Sequence, residues 1–176
     1  MTIHEFPTSL DRGKKGEAVL EAHFTDLGWT VEKPTREEDH LGIDRWHTKD
    51  GERYSVQYKT DYETKVYGNV FLESVSNDRT GTKGWLWTCK ADWLFLLMNG
   101  VSETDGSSDY FVFPGVTTLA NRCRKGGTWG LNKIRASRNK GPGYNYCSHG
   151  IIVPVKDLDL FYPKARRTIP GVVIPD

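Results

Sequence analysis

The stretch Gly42-Ile-Asp-Arg-Trp-His-Thr-Lys-Asp-Gly-Glu-Arg-Tyr-Ser-Val-Gln-Tyr-Lys-Thr-Asp61 decides how this chain is read. Ile43 to His47 and Tyr54 to Thr60 have strand composition. Lys49-Asp50-Gly51-Glu52 between them contains an Asp-Gly pair, a strong short-range hairpin signal. Two strands are therefore predicted to lie side by side. Side chains alternate across a strand, so Gln57, Lys59 and Asp61 share a polar face while Val56 and Tyr58 share an apolar one. If the first strand sets Asp44 beside Gln57 and Lys59, a carboxylate, an amide carbonyl and an ammonium converge on one spot.

That trio suits metal-assisted chemistry at phosphorus. A carboxylate and a carbonyl oxygen are hard ligands for Mg²⁺, which keeps several waters and takes one or two protein carboxylates beside substrate phosphate oxygens. A lysine next to the ion can orient or deprotonate a water for in-line attack. The plain structural alternative is a cross-strand Asp-Lys salt bridge, which is common and contributes little.

Upstream, Gly16 to Leu27 carries Val19, Leu20, His23, Phe24 and Leu27 on one stripe at helical spacing, with Gly28 as the C-cap. Asp11 to Lys15 forms the approach, and Gly28-Trp29-Thr30-Val31 reads as a strand. Glu17 falls in the predicted first turn, where the helix dipole favours a carboxylate. By sequence alone that is its commoner role.

In order and spacing, Asp44 followed by Gln57-x-Lys59 resembles the core motif of the PD-(D/E)XK nuclease superfamily: an Asp ending one strand, then an acid-x-Lys on the next. Gln57 departs from the usual Asp or Glu and leaves the site one charge short, although its amide oxygen can still coordinate. The Gln-x-Lys signature and compact size look most like the bacterial intron homing endonuclease branch, with phage-type and Holliday-junction nucleases as near relatives. The resemblance spans Gly13 to about Ser76. It implies a restriction-endonuclease-like α/β (α+β) core, a central mixed β-sheet flanked by helices. It also implies that Glu17 joins Asp44, Gln57 and the Tyr58 backbone carbonyl around Mg²⁺, with Mn²⁺ able to substitute. Lys59 would position the attacking water, and the products would carry 5′-phosphate and 3′-hydroxyl ends.

The chain, residues 1–176, is read as one domain: a core over about 13–100, a basic elaboration over about 110–155, and a tail from Pro163 to Asp176 that wraps a partner or stays loose. The net charge of +1 hides an asymmetry. Residues 1–80 hold 11 Lys or Arg and 16 Asp or Glu, while residues 81–176 hold 13 and 7. Tyr110 to Val155 has no acidic residue, yet contains Arg122, Arg124, Lys125, Lys133, Arg135, Arg138 and Lys140 interleaved with Trp129, Tyr144 and Tyr146. Phosphate-backbone binding would use such a stretch, and a solvated loop would also produce it. Lys14 and Lys15 join it as candidate DNA contacts. Cys89, Cys123 and Cys147 are too few and scattered for a disulfide framework or a complete zinc site.

Pro34 to His40 reads as a charged loop and its three acids as solvated surface. Asn69 to Ser76, Leu94 to Met98, Tyr110 to Phe113 and Gly150 to Val155 read as strands, Val116 to Arg124 and Leu158 to Phe161 as short helices, and Thr128 to Ser148 as a stretch without regular period. Asp61 and Glu73 are candidates for the charge Gln57 lacks, with edge-strand carboxylates as the preferred reading of both. No apolar run approaches the roughly 18 residues that span a bilayer and the N-terminus shows no signal-peptide pattern, so a cytoplasmic protein of a bacterial or phage-infected cell is expected. Double-stranded or branched DNA is the expected partner. Cutting two strands implies a homodimer or dimer of dimers, for which Trp85, Trp87 and Trp93 offer an interface. The alternatives are a Holliday-junction resolvase, a catalytically inactive DNA-binding protein on the same fold, and a small enzyme unrelated to nucleic acid.

Overall fold

The computed structural model describes residues 3–98, 107–130, 132, 134–141 and 144–170. In chain order it contains β1 (Ile3–Glu5), α1 (Phe6–Asp26), β2 (Thr30–Glu32), α2 (Arg36–His40), β3 (Arg45–Lys49), β4 (Glu52–Asp61), α3 (Thr64–Tyr67), β5 (Asn69–Asn77) and β6 (Thr82–Lys83). There follow α4 (Trp85–Thr88), β7 (Trp93–Met98), β8 (Ser108–Pro114), α5 (Thr117–Cys123), β9 (Ile134–Gly141), β10 (Tyr144–Pro154), α6 (Val155–Phe161) and β11 (Arg166–Ile169).

The predicted hairpin is present. Lys49 pairs with Glu52, and Asp50 and Gly51 both have positive φ, 53° and 82°. A two-residue type I′ turn requires that, and its twist matches the strands it joins. The hairpin lies inside a six-stranded sheet of order β11-β8-β7-β4-β3-β2. β4 runs parallel to β7 and antiparallel to β3, so this central sheet is mixed, as expected of the α/β class.

Alternation then divides the core. On one face α1 sets Leu20 and Phe24 against Val56, Tyr58, Phe95, Leu97 and Tyr110. On the other, Leu94, Leu96 and Met98 of β7 and Phe111 and Phe113 of β8 pack with Val70, Leu72, Ile151 and Val153. Those last four belong to a second sheet, of order β1-β9-β10-β5-β6. What was read as an elaboration thus shares a sheet with β5 and covers the second face of the central one.

Several expectations need correction. α1 begins at Phe6 rather than Gly16. Pro7 sits in its first turn, where a missing N–H is tolerated, and Gly16 is not a boundary but the place where the helix crosses β4. A Cβ there would collide with Thr60 Oγ1. Pro34 to His40 is not all loop. Thr35 and Glu38 form a reciprocal capping box that starts α2, with Thr35 N–H donating to Glu38 Oε2 at 2.7 Å. The pattern was in the sequence as Thr-x-x-Glu.

The aperiodic Thr128 to Ser148 contains β9 and much of β10, an antiparallel pair. Its period was hidden because Ser137, Asn139 and Ser148 line a cleft rather than an apolar core. The tail is tied down through Ile169, since β11 pairs with β8 and Arg166 bridges Asp109 at 2.6 Å and Asp159 at 3.0 Å. Residues 171–176 lie outside the described part. Asp61 and Glu73 are on inner strands, as β4 and β5 each have neighbours on both sides. No helix among the described residues is long and apolar enough to cross a membrane.

Candidate active site

The site forms where β3 stops covering β4. Their regular pairing ends at Arg45 opposite Val56. Asp44 continues the contact with different atoms: its N–H donates to the Val56 carbonyl at 2.8 Å, and its Oδ2 accepts from the Tyr58 N–H at 2.7 Å. A side chain thereby replaces the missing strand partner and fixes a carboxylate at the edge of β4. The Tyr58 carbonyl leaves the strand on the edge from which that N–H departs.

Gln57 faces away from α1 and is buried, with 3% of its surface exposed. The turn at Gly42, φ 79°, passes close over its amide; a Cβ there would lie 3.1 Å from Gln57 Nε2 and 3.2 Å from the Cys89 Cα. Gln57 Oε1 has no hydrogen-bond partner among the described residues. A buried acceptor left unsatisfied costs roughly 1–3 kcal/mol. A fixed, desolvated oxygen is a suitable donor for a hard cation.

Glu17 lies in the middle of α1 rather than in its first turn, so the dipole does not explain it. Arg45 connects it to the site. Its Nη2 is 3.4 Å from Glu17 Oε2, its Nε donates to Glu21 Oε2 at 2.9 Å, and its Nη1 donates to the Asp44 carbonyl at 2.6 Å. Sequence reading gave Arg45 no role, though it adjoins Asp44. Burial pushes the Glu17 carboxyl above the usual range and Asp44 pushes it further, against the pull of Arg45 and Lys59. Burial also raises Asp44, opposed by Lys59 and the Tyr58 N–H. Two crowded carboxylates that resist ionisation are an environment a cation would relieve. Among the described residues, no group of three or more His, Cys, Asp or Glu side chains is placed to hold a metal ion. The donors at hand are Asp44, Glu17, the Gln57 amide and the Tyr58 carbonyl, a mixed oxygen set.

Lys59, two residues along the same face from Gln57, opens into a cleft of about 740 Å³ between β4 and the second sheet, shared with Arg12, Glu73, Asn139 and Ser148. Glu73 is raised by burial and drawn down by Lys59 and by the Trp85 backbone N–H. Asp61 has a structural role instead. Its Oδ1 accepts from the Glu63 and Thr64 N–H groups at 2.9 and 3.0 Å, and its Oδ2 from the Phe71 N–H at 2.9 Å.

The basic candidates are dispersed. Lys14, Lys15, Arg124, Lys125 and Arg138 are exposed. The Arg122 guanidinium is engaged within the protein, 4.1 Å from the centre of the Phe161 ring and donating to Tyr162 Oη at 3.0 Å. Arg135 and Lys140 belong to β9, and Lys133 lies outside the described residues. Trp85 and Trp87 pack against the larger core cluster and Trp93 against the one under α1, so the expected interface aromatics are committed largely inward. Cys123 is buried, while Cys89 and Cys147 are partly exposed free thiols.

No protein-family model matches the chain, and no curated protein matches it. Among solved structures it is similar to a bacterial homing endonuclease, I-Ssp6803I. The TM-score is 0.44 at 19% identity, over 62% of this chain and 70% of that one.

Proposed function

We propose that this chain is a Mg²⁺-dependent DNA endonuclease built on a restriction-endonuclease-like core. The observation that carries the reading is the buried Gln57 Oε1, unpartnered among the described residues, one residue before the Tyr58 N–H that the Asp44 carboxylate accepts and on the strand face that also presents Lys59. A structural salt-bridge network has no use for an orphaned acceptor at its centre. Asp44, Gln57 and the Tyr58 carbonyl, with Glu17 behind them, would hold the metal, which when bound stabilises the charge developing at phosphorus. Lys59 orients the attacking water and favours its deprotonation. Arg45 positions Asp44 and Glu17 together through the contacts at 2.6 and 3.4 Å. Hydrolysis leaves 5′-phosphate and 3′-hydroxyl ends. The exposed Lys14, Lys15, Arg124, Lys125 and Arg138 supply sequence-independent phosphate contacts to duplex or branched DNA, with two copies of the chain needed to cut both strands.

The test is cleavage of a supercoiled plasmid and of a four-way junction, each with Mg²⁺ and with a chelator, by the native chain and Lys59→Ala. Metal-dependent cutting lost in the variant supports the endonuclease, and preference for the junction turns it into a resolvase. Binding without cutting of either DNA by the native chain, across a range of Mg²⁺ and Mn²⁺ concentrations, would replace the enzyme with a silent DNA-binding protein.

A further inference from the structure

Arg12 sits on α1 at the mouth of the cleft that Lys59 enters. Its Nε is buried, with no hydrogen-bond partner among the described residues. The guanidinium lies 5.3 Å from the centre of the Tyr62 ring, and Tyr62 Oη donates to the Arg12 backbone carbonyl at 2.9 Å. One tyrosine therefore holds both ends of the residue, its ring supporting the cation and its hydroxyl the helix backbone. Pre-organisation of this kind reduces the entropy lost when a long side chain is immobilised on a ligand. The wall across the cleft is polar and uncharged where β9 and β10 contribute Ser137, Asn139 and Ser148. The carboxylates Asp61, Glu63 and Glu73 also line the cleft; Asp61 is engaged by backbone N–H groups, and none of the three forms an ion pair with Arg12 among the described residues. Glu73 is drawn down by Lys59 instead.

We propose that Arg12 is a phosphate-binding residue that grips a phosphodiester of the DNA strand threaded past Lys59. The proposal rests on the nuclease reading and extends it to a named contact in the cleft. A guanidinium can donate two parallel N–H bonds to the oxygens of one phosphate, and its Nη groups at the end of the side chain are the donors suited to a phosphodiester in the cleft. Sequence composition did not single out this residue, because it lies in the acidic half of the chain, away from the basic stretch. Its relevance comes from the fold, which brings the early part of α1 to the end of β4.

The experiment is DNA binding by fluorescence anisotropy in chelator, over a series of salt concentrations, for the native chain, Arg12→Met and Arg12→Lys. Melting temperature serves as the check on folding. Met retains the aliphatic packing on Tyr62 and removes the charge. Arg12→Met is expected to weaken binding about tenfold near physiological salt and to reduce the slope of log K against log salt by about one. Arg12→Lys should restore the slope but only part of the affinity, since an ammonium lacks the planar fork. Cleavage at limiting DNA should fall in Arg12→Met in step with the lost affinity, as expected of a binding contact. An unchanged slope in folded Arg12→Met overturns the proposal while leaving the nuclease reading intact. An Arg12-dependent slope in a chain that never cuts overturns the nuclease reading and keeps the phosphate contact. A native chain that does not bind DNA at all overturns both.

Discussion

The two faces of β4 differ in how fully their polar atoms are satisfied. Toward α1, Val56 and Tyr58 are buried, the Tyr58 hydroxyl meets His47 Nε2 at 2.5 Å, and Thr60 fills the space left by Gly16. Toward the second sheet, Gln57 keeps an acceptor with no partner, and at the strand edge Asp44 is held above its usual range by burial. Alternation with period two lets one strand assign stability to one side and chemistry to the other. The chemical side is expected to cost folding free energy, as pre-organised sites commonly do.

The largest effects should separate along that line. Leu20, fully buried between α1 and the sheet, should lose about 2–5 kcal/mol on conversion to Ala, read as a lower denaturant midpoint with cleavage by the remaining folded protein little changed. Asp44→Asn should do the reverse. The Asn carbonyl can still accept from the Tyr58 N–H, so stability should hold or rise slightly, while cutting falls by about 10²–10⁴. If Asp44→Asn melts as early as Leu20→Ala, the faces are not divided as described.

A second expected effect concerns pH and belongs to the stabilising face. Burial, followed by the nearby Arg45 charge, lowers His47 from its usual 6.5 to about 4. The unfolded chain therefore takes up a proton that the folded chain refuses. This contribution to stability is complete above about pH 6.5 and is lost as pH falls toward 4, by on the order of 2 kcal/mol. Glu17, Asp44 and Glu73 shift the other way, since folded-state values raised by burial favour the folded protein as pH falls through them. The measurement is therefore a difference: denaturant midpoints at pH 7 and pH 5 for the native chain and for His47→Gln. The native chain should lose more on acidification. Equal losses would show that His47 is not held neutral by its surroundings.

What was legible in the sequence follows the same division between local and distant causes. The hairpin was readable because Asp50-Gly51 encodes its own turn and the alternation around Gln57 and Lys59 is local. The C-cap at Gly28 was readable too, and the Trp29 N–H to Phe24 carbonyl and Gly28 N–H to Thr25 carbonyl bonds, both 2.9 Å, complete it as a Schellman motif. The start of α1 was misplaced because Gly13 and Gly16 resemble breakers until β4 is seen to press against Gly16. β9 and the first half of β10 were missed, while Gly150 to Val155 was read as a strand, because a cleft-lining strand has polar residues on the side where a core strand would be apolar. Glu17 was placed beside Asp44 only by resemblance. Nothing between residues 17 and 44 encodes that meeting, which depends on how α1 lies across the sheet and on Arg45. Arg12 had no local signal, and Glu73 had only its place on a predicted strand, because the cleft they line joins α1 and β4 to the second sheet.

The smallest expected effect sharpens the contrast most, because it changes one atom type on the chemical face. Gln57→Glu keeps size and shape and converts the unpartnered amide oxygen into part of a carboxylate, one residue before the Tyr58 N–H that Asp44 accepts. Without metal at pH 7, the added buried negative charge should destabilise the fold by about 1 kcal/mol, since Glu17 and Asp44 already resist ionisation and Lys59 is the compensating cation on that face. That corresponds to a melting-temperature loss of about 2–4 °C. Adding Mg²⁺ should reverse the sign: the variant should gain more melting temperature per increment of metal than the native chain and half-saturate at about tenfold lower concentration. The gap should narrow on acidification, as protons compete with the ion for the same oxygens. A Gln57→Glu chain as stable as the native without metal, and no more responsive to it, would mean that this oxygen faces neither the neighbouring carboxylates nor a cation. The asymmetry between the two faces of β4 would then be one of packing alone.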